Sequence, residues 1–174
     1  MTEDATESVR RRYRPDRVRL LLVGESAPAR GQFFYRANSL LYRATRDAFT
    51  RVYESSLCSG YEFLRFFQSL GCYLDDLCLH PVNGLAWSER VKARQVAVQS
   101  LADRIGSYAP PAIASVMYEI HDHVRQAASL AGIEHGVAAS LPFPMGRNIH
   151  AYRDELAGLL RRLVDDGVLP RGVD

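Results

Sequence analysis

The sequence predicts an α/β fold: a three-layer α/β/α sandwich around a central, mostly parallel, four-stranded sheet. Three observations predict it. Short apolar runs of strand length alternate with segments whose apolar residues recur at helical spacing. Glycine or proline stands at most of the junctions between them. The run Val18-Arg19-Leu20-Leu21-Leu22-Val23 is apolar almost throughout, as in a strand covered on both faces.

The elements follow in order. Val18–Val23 is the first strand, and it enters a loop of small residues, Gly24 to Gln32. Leu40, Leu41, Ala44, Ala48 and Phe49 then mark a helix that Asn38 or Ser39 can cap. Tyr61 to Leu70 reads as a second helix closed by Gly71, and Tyr73 to Leu79 as a strand running into His80-Pro81-Val82-Asn83-Gly84. Ser88 is the expected cap of a helix from Glu89 to about Ser107. Pro110 and Pro111 precede a third strand, Ala112 to Met117; a helix from about Ile120 to Ala131 ends at Gly132, and Gly136 to Ser140 is the fourth strand. The loop Leu141–Asn148 leads to a last helix, Ile149 to Leu163, with Leu156, Leu159, Leu160 and Leu163 in one stripe.

The chain divides into a flexible basic N-terminal arm (1–16), one α/β domain (17–168) and a short tail (169–174). The arm carries Arg10, Arg11, Arg12 and Arg14, with Arg17 just beyond; it reads as a solvated arm or a phosphate-binding one. With 174 residues, 47% of them hydrophobic and 24% charged, the chain can bury a core without disulfides or metal. No apolar run approaches the roughly 18 residues that span a membrane, and the polar start MTEDATESVRRRYRPDR has no secretory h-region. A cytoplasmic chain with no membrane partner is expected. Cys58, Cys72 and Cys78 lack zinc-ligand spacing and read as small core residues in a reducing compartment. His121 and His123, two apart on a helix, do not share a face, so neither a metal nor any other cofactor is expected. A net charge of +2 does not by itself indicate a polyanion, although Lys92 is the only lysine among the cations.

In a parallel sheet, ligands bind beyond the carboxyl ends of the strands. Three loops fall there: Gly24 to Phe34, Asp75 to Gly84, and Leu141 to Asn148. Glu25, Phe34, Asp76 and the Leu141–Asn148 loop are therefore expected to line one concave pocket. Asp76 within an apolar strand needs a partner, either a ligand or an arginine. Phe33 and Phe34 are either core residues or stacking faces, and His80 is either a plain loop residue or a catalytic one.

A strand followed by Gly24-Glu25-Ser26-Ala27-Pro28 and then Gly31-Gln32-Phe33-Phe34 resembles the first motif of the uracil-DNA glycosylase superfamily. Order and spacing extend the resemblance along most of the chain. Tyr73-Leu74-Asp75-Asp76-Leu77-Cys78 is similar to the strand carrying that family's base-reading residue. Pro110 to Val116 is similar to its next strand, and Leu141-Pro142-Phe143-Pro144 lies at its second motif. The resemblance implies a DNA glycosylase-like monomer that binds a flipped nucleobase and hydrolyses its N-glycosidic bond, on duplex or single-stranded DNA with a modified or mismatched base. It implies catalytic roles for Glu25 and His80 and base binding by Phe34, Phe33, Asp76, Gly24 and Ser26. It also implies DNA contacts from Arg30, Arg36, Arg147 and Asn148. Aspartate at the base-reading position favours a base with an exocyclic amino group, such as cytosine. Two departures are visible: three cysteines cannot hold the four-cysteine iron–sulfur cluster of the nearest branch, and Leu141 replaces the second-motif histidine. The alternatives are a non-catalytic nucleic-acid-binding member and a small-molecule or nucleoside hydrolase.

Overall fold

The computed structural model describes residues 3–29, 31–54 and 60–172. Its four strands are β1 (Leu20–Ser26), β2 (Cys72–Cys78), β3 (Ala112–Ser115) and β4 (Val137–Ser140). They form one sheet in the order β2-β1-β3-β4, with every pairing parallel. The helices are α1 (Glu3–Arg12), α2 (Leu40–Tyr53), α3 (Gly60–Ser69), α4 (Trp87–Tyr108), α5 (His121–Leu130) and α6 (Asn148–Asp165). The chain moves outward from β1 to β2, then crosses back to β3 and β4. Right-handed crossovers in opposite directions put α2 and α3 on one face and α4 and α5 on the other. The packing of α6 on α2 and of α4 on α5 completes the expected three-layer sandwich.

Local chemistry explains the boundaries. Leu20–Val23 is fully buried, and β1 continues through Ser26, so Glu25 and Ser26 belong to the strand and not to the loop. Ser39 caps α2, its hydroxyl accepting from the Tyr42 N–H at 3.0 Å. At Gly71 φ is +80°, and a Cβ there would meet the Arg17 carbonyl oxygen at 2.9 Å, so only glycine turns the chain from α3 into β2. Ser88 is not the cap of α4: the helix starts at Trp87, and the Glu89 carboxylate accepts the Ala86 N–H at 3.3 Å. That bond satisfies a free donor without a hydroxyl.

Phe34, Tyr42, Phe49, Phe63 and Phe67 interlock beneath α2 and α3, with ring centroids 5.4 to 5.9 Å apart. Phe34 is 3% exposed. It is a core residue and offers no free face to a base. Cys72 and Cys78 are buried free thiols, and burial pushes Cys78 up to about 11. Cys58 lies outside the described residues.

The exposed side of β2 is closed by side chains. The Tyr35 hydroxyl accepts from the Leu74 N–H at 2.7 Å and lies 2.9 Å from the Leu74 carbonyl oxygen, to which it donates. The Asp75 carboxylate accepts the Asp76 N–H at 2.7 Å, and Arg104 donates to the Asp76 and Leu77 carbonyls at 2.9 and 3.2 Å. These bonds occupy groups that an open edge would offer to another strand.

The N-terminal segment expected as a flexible arm contains α1, and Arg10 docks it on β2. Arg10 is 2% exposed and donates to Asp75 at 3.2 Å and to Asp76. The physical reason is the acidic pair: two carboxylates buried in an apolar strand require an opposite charge. The start of the expected tail is also held. Leu169 is buried, its N–H donates to the Leu163 carbonyl at 3.0 Å, and the Tyr53 hydroxyl donates to the Pro170 carbonyl at 3.2 Å.

Candidate functional site

The connection direction reverses between β1 and β3, which makes the crevice beyond their carboxyl ends the natural ligand position of this sheet. Glu25 stands there at the end of β1. Arg90 and Arg94, one turn apart on α4, both reach it. Arg90 Nε donates to Glu25 Oε1 at 2.6 Å and its Nη2 to Oε2, while Arg94 Nε donates to Oε1 at 2.6 Å. Burial acts to raise the Glu25 pKa, but the hydrogen bonds from Arg90 and Arg94 prevail and hold it below the ordinary carboxylate value. Glu25 is thus an ionised carboxylate with both oxygens engaged.

This charged centre is bordered by rings. Arg94, itself buried, lies with its guanidinium carbon 5.4 Å from the Trp87 ring centroid, and Trp87 is 65% exposed. On the neighbouring loop Glu119 acts electrostatically on Arg90, and Tyr118, 53% exposed, donates through its hydroxyl to Glu155 at 3.4 Å. Phe143 and Met145 are exposed on the loop after β4, and Leu79 and Leu85 on the loop after β2. Exposed apolar groups therefore come from all three loops that follow β2, β3 and β4. Contacts link two of these segments to the Glu25 centre: Trp87 lies over Arg94, and Glu119, next to Tyr118, acts on Arg90.

Beneath the surface Ser115 Oγ lies 3.1 Å from His121 Nδ1 and 3.3 Å from Ser140 Oγ, tying the ends of β3 and β4 to the start of α5. Ser115 is fully buried, so this Ser–His contact braces the loops and presents no accessible nucleophile. His123 Nδ1 is buried without a hydrogen-bond partner, and burial followed by the charge of Arg94 lowers its pKa. Among the described residues no three His, Cys, Asp or Glu side chains converge as a metal site would require.

The residues singled out from sequence fall into separate places. Glu25 and Asp76 both lie toward the carboxyl end of the sheet but do not share a pocket with Phe34. Glu25 is bound by α4, Asp76 is buried under Arg10, and Phe34 is in the core. Gly24 is buried opposite Asp76, and Ser26 accepts the Val82 N–H at 3.2 Å, which fixes the loop after β2. Phe33 is 3% exposed, with Arg10 over its ring, so it is not an open stacking face either. His80 is exposed on the loop after β2, and Arg36 is exposed at the end of the 3-10 turn Phe34–Arg36. Arg147 and Asn148 are exposed where α6 begins, with no side-chain cap on that helix. Arg30 lies outside the described residues. An open groove lined by Arg17, Arg19 and Arg65 lies at the opposite, amino end of the strands.

Sequence reasoning missed Trp87, Arg90 and Arg94, although their spacing of three and four places them on one helix face. No protein-family model and no curated protein sequence matches the chain.

Proposed function

We propose that this protein binds nucleic acid, as a monomer, at the carboxyl edge of its sheet. The observation that carries the reading is the set of exposed rings, Trp87, Tyr118 and Phe143, on the segments that follow β2, β3 and β4, with Trp87 over the Arg94 that holds Glu25. Bases stack on such rings irrespective of sequence, each contact worth about 1–3 kcal/mol. Arg147 is exposed at the start of α6, where its guanidinium suits a phosphate.

Excision of an extruded base is the catalytic form of the same reading. It requires Glu25 to meet the positive charge that develops on the sugar, and hence to leave at least one of its arginine partners. With both oxygens engaged, the geometry favours binding without cleavage. Asp76, under Arg10, is likewise not presented to a base while α1 is docked.

The test uses single-stranded and duplex oligonucleotides, each with one modified or mismatched base. Affinity is measured at about 50 and 200 mM salt, and abasic sites are assayed in the same samples. Salt-dependent binding without abasic sites is the expected result. Abasic sites that disappear in Glu25→Gln would establish excision instead. No binding at the lower salt would overturn the nucleic-acid reading in favour of a small-molecule ligand.

A further inference from the structure

At the amino end of the strands, opposite the aromatic rim, an open groove of about 360 Å³ is lined by the lead-in to β1 and the last turns of α3. That volume is within the roughly 300–1,000 Å³ of small-molecule sites, but the lining is polar where theirs is mostly apolar. Arg17 and Arg19 come from the lead-in, on either side of the buried Val18, and Arg65 comes from α3. Asp16 is the one carboxylate among the described lining residues. Among the described residues none of the three guanidiniums forms an ion pair, so three positive charges and one negative charge border the groove.

The groove is held in shape. At Gly71 a Cβ would stand 2.8 Å from Arg19 Cγ and Cδ, so the missing side chain lets the Arg19 stem lie against the backbone. The Arg19 N–H donates to the Gly71 carbonyl at 2.7 Å and its Nη1 to the Val168 carbonyl at 3.3 Å, which leaves its other guanidinium donors unengaged. The Gln68 amide is engaged by the Arg12 and Arg14 carbonyls at 3.2 Å each, and the Ser69 hydroxyl by the Phe66 carbonyl at 2.8 Å. The side-chain donors left to a ligand are therefore those of the arginines.

A ligand for this groove has to bring oxygen acceptors and more than one negative charge. Guanidinium forks take phosphoryl oxygens in pairs. A lone carboxylate offers one pair of oxygens and a single charge, too few for arginines on two walls. We propose that the groove binds a small ligand with two linked phosphoryl groups, one against Arg17 and Arg19 and the other against Arg65. The chemical class is that of pyrophosphate and the nucleoside diphosphates. This site stands apart from the nucleic-acid reading, since the groove and the aromatic rim lie at opposite ends of the strands.

The test is isothermal titration calorimetry of the full-length chain at about 50 mM salt with pyrophosphate, orthophosphate, sulfate and a single-stranded oligonucleotide. Pyrophosphate should bind at least about ten-fold more tightly than orthophosphate or sulfate. Arg17→Ala and Arg65→Ala should each weaken it by about ten-fold or more. Arg65→Lys should recover only part of the loss, because the fork is gone, and Asp16→Asn should tighten binding. Arg125→Ala, an equal charge change on α5 across the sheet, should leave it unchanged. All four of these positions are exposed, so the variants keep the core intact. No pyrophosphate binding, equal affinity for pyrophosphate and orthophosphate, or the same loss in Arg125→Ala as in Arg65→Ala would overturn the proposal. So would oligonucleotide binding that falls in the Arg17 and Arg65 variants while pyrophosphate does not bind, which would assign the groove to polynucleotide phosphates. Pyrophosphate binding without any oligonucleotide binding supports this site and overturns only the aromatic-rim interface.

Discussion

Gly24 on β1 and Asp76 on β2 are register partners, and the absence of a side chain at Gly24 makes room for the Asp76 carboxylate. That carboxylate is also held by Arg10 from α1, so it cannot swing away without breaking the ion pair. Gly24→Ala should therefore destabilise the protein by about 1–3 kcal/mol, the usual range for an overpacked interior. Denaturant unfolding measures it. In an Asp76→Ala background the same substitution should cost much less, because the obstructing oxygen is gone. Purely additive losses in that double-mutant cycle would show that the close approach does not set the cost.

The same residue makes stability depend on pH. Burial pushes the Asp76 carboxyl up to about 6 from its ordinary 3.8, against the opposing pull of Arg10. The native chain thus holds this proton more tightly than the unfolded chain. Its stabilising contribution is complete below the unfolded value and is lost as pH rises through about 6. Relative to wild type, Asp76→Asn should gain stability between pH 4 and 7, on the order of 2 kcal/mol across that window. A wild-type-minus-variant difference that stays flat with pH would count against the burial argument.

Glu25 has the opposite sign. Arg90 and Arg94 outweigh burial and lower its pKa, so its contribution is present above the ordinary 4.5 and is lost as pH falls through the lowered native value. Glu25→Gln leaves Arg94, 3% exposed, without its counter-charge. A loss of about 3 kcal/mol is expected at neutral pH, shrinking under acid conditions. Thermal unfolding across pH, with Asp76→Asn in parallel, should show the two effects running in opposite directions.

Much of the fold was legible because the signals were local. The apolar run of β1, Gly71 and Gly132 at helix ends and the leucine stripe of α6 all follow from neighbours in sequence. Long-range compensation was not legible. Arg10 sits in a polar, arginine-rich segment that by composition alone reads as solvated, and only the buried Asp75–Asp76 pair, 65 and 66 residues away, explains its burial. Phe33 and Phe34 were ambiguous for a related reason: an aromatic near a strand end packs inward or outward according to what covers it, and here α1, α2 and α3 do. Glu25 was recognisable as a strand-end carboxylate. Its partners Arg90 and Arg94 were legible only as a helix face, because nothing in sequence says which loop that face meets.

The rim makes a prediction that separates stacking from charge. If bases rest on Trp87, Tyr118 and Phe143, replacing Tyr118 or Phe143 by alanine should cost about 1–3 kcal/mol in binding a single-stranded oligonucleotide, roughly five- to more than hundred-fold in affinity. The salt slope should not change, since no phosphate contact is removed. Trp87→Ala also uncovers Arg94, so Trp87→Phe serves as its control: a ring remains over the guanidinium, and binding should fall less than in Trp87→Ala. Arg147→Ala should behave differently. It should weaken binding about equally for every sequence and flatten the plot of log affinity against log salt by about one unit. Fluorescence anisotropy over a salt series reads both quantities. Aromatic variants that flatten the slope, or an Arg147 variant that leaves slope and affinity unchanged, would remove the corresponding residue from the interface.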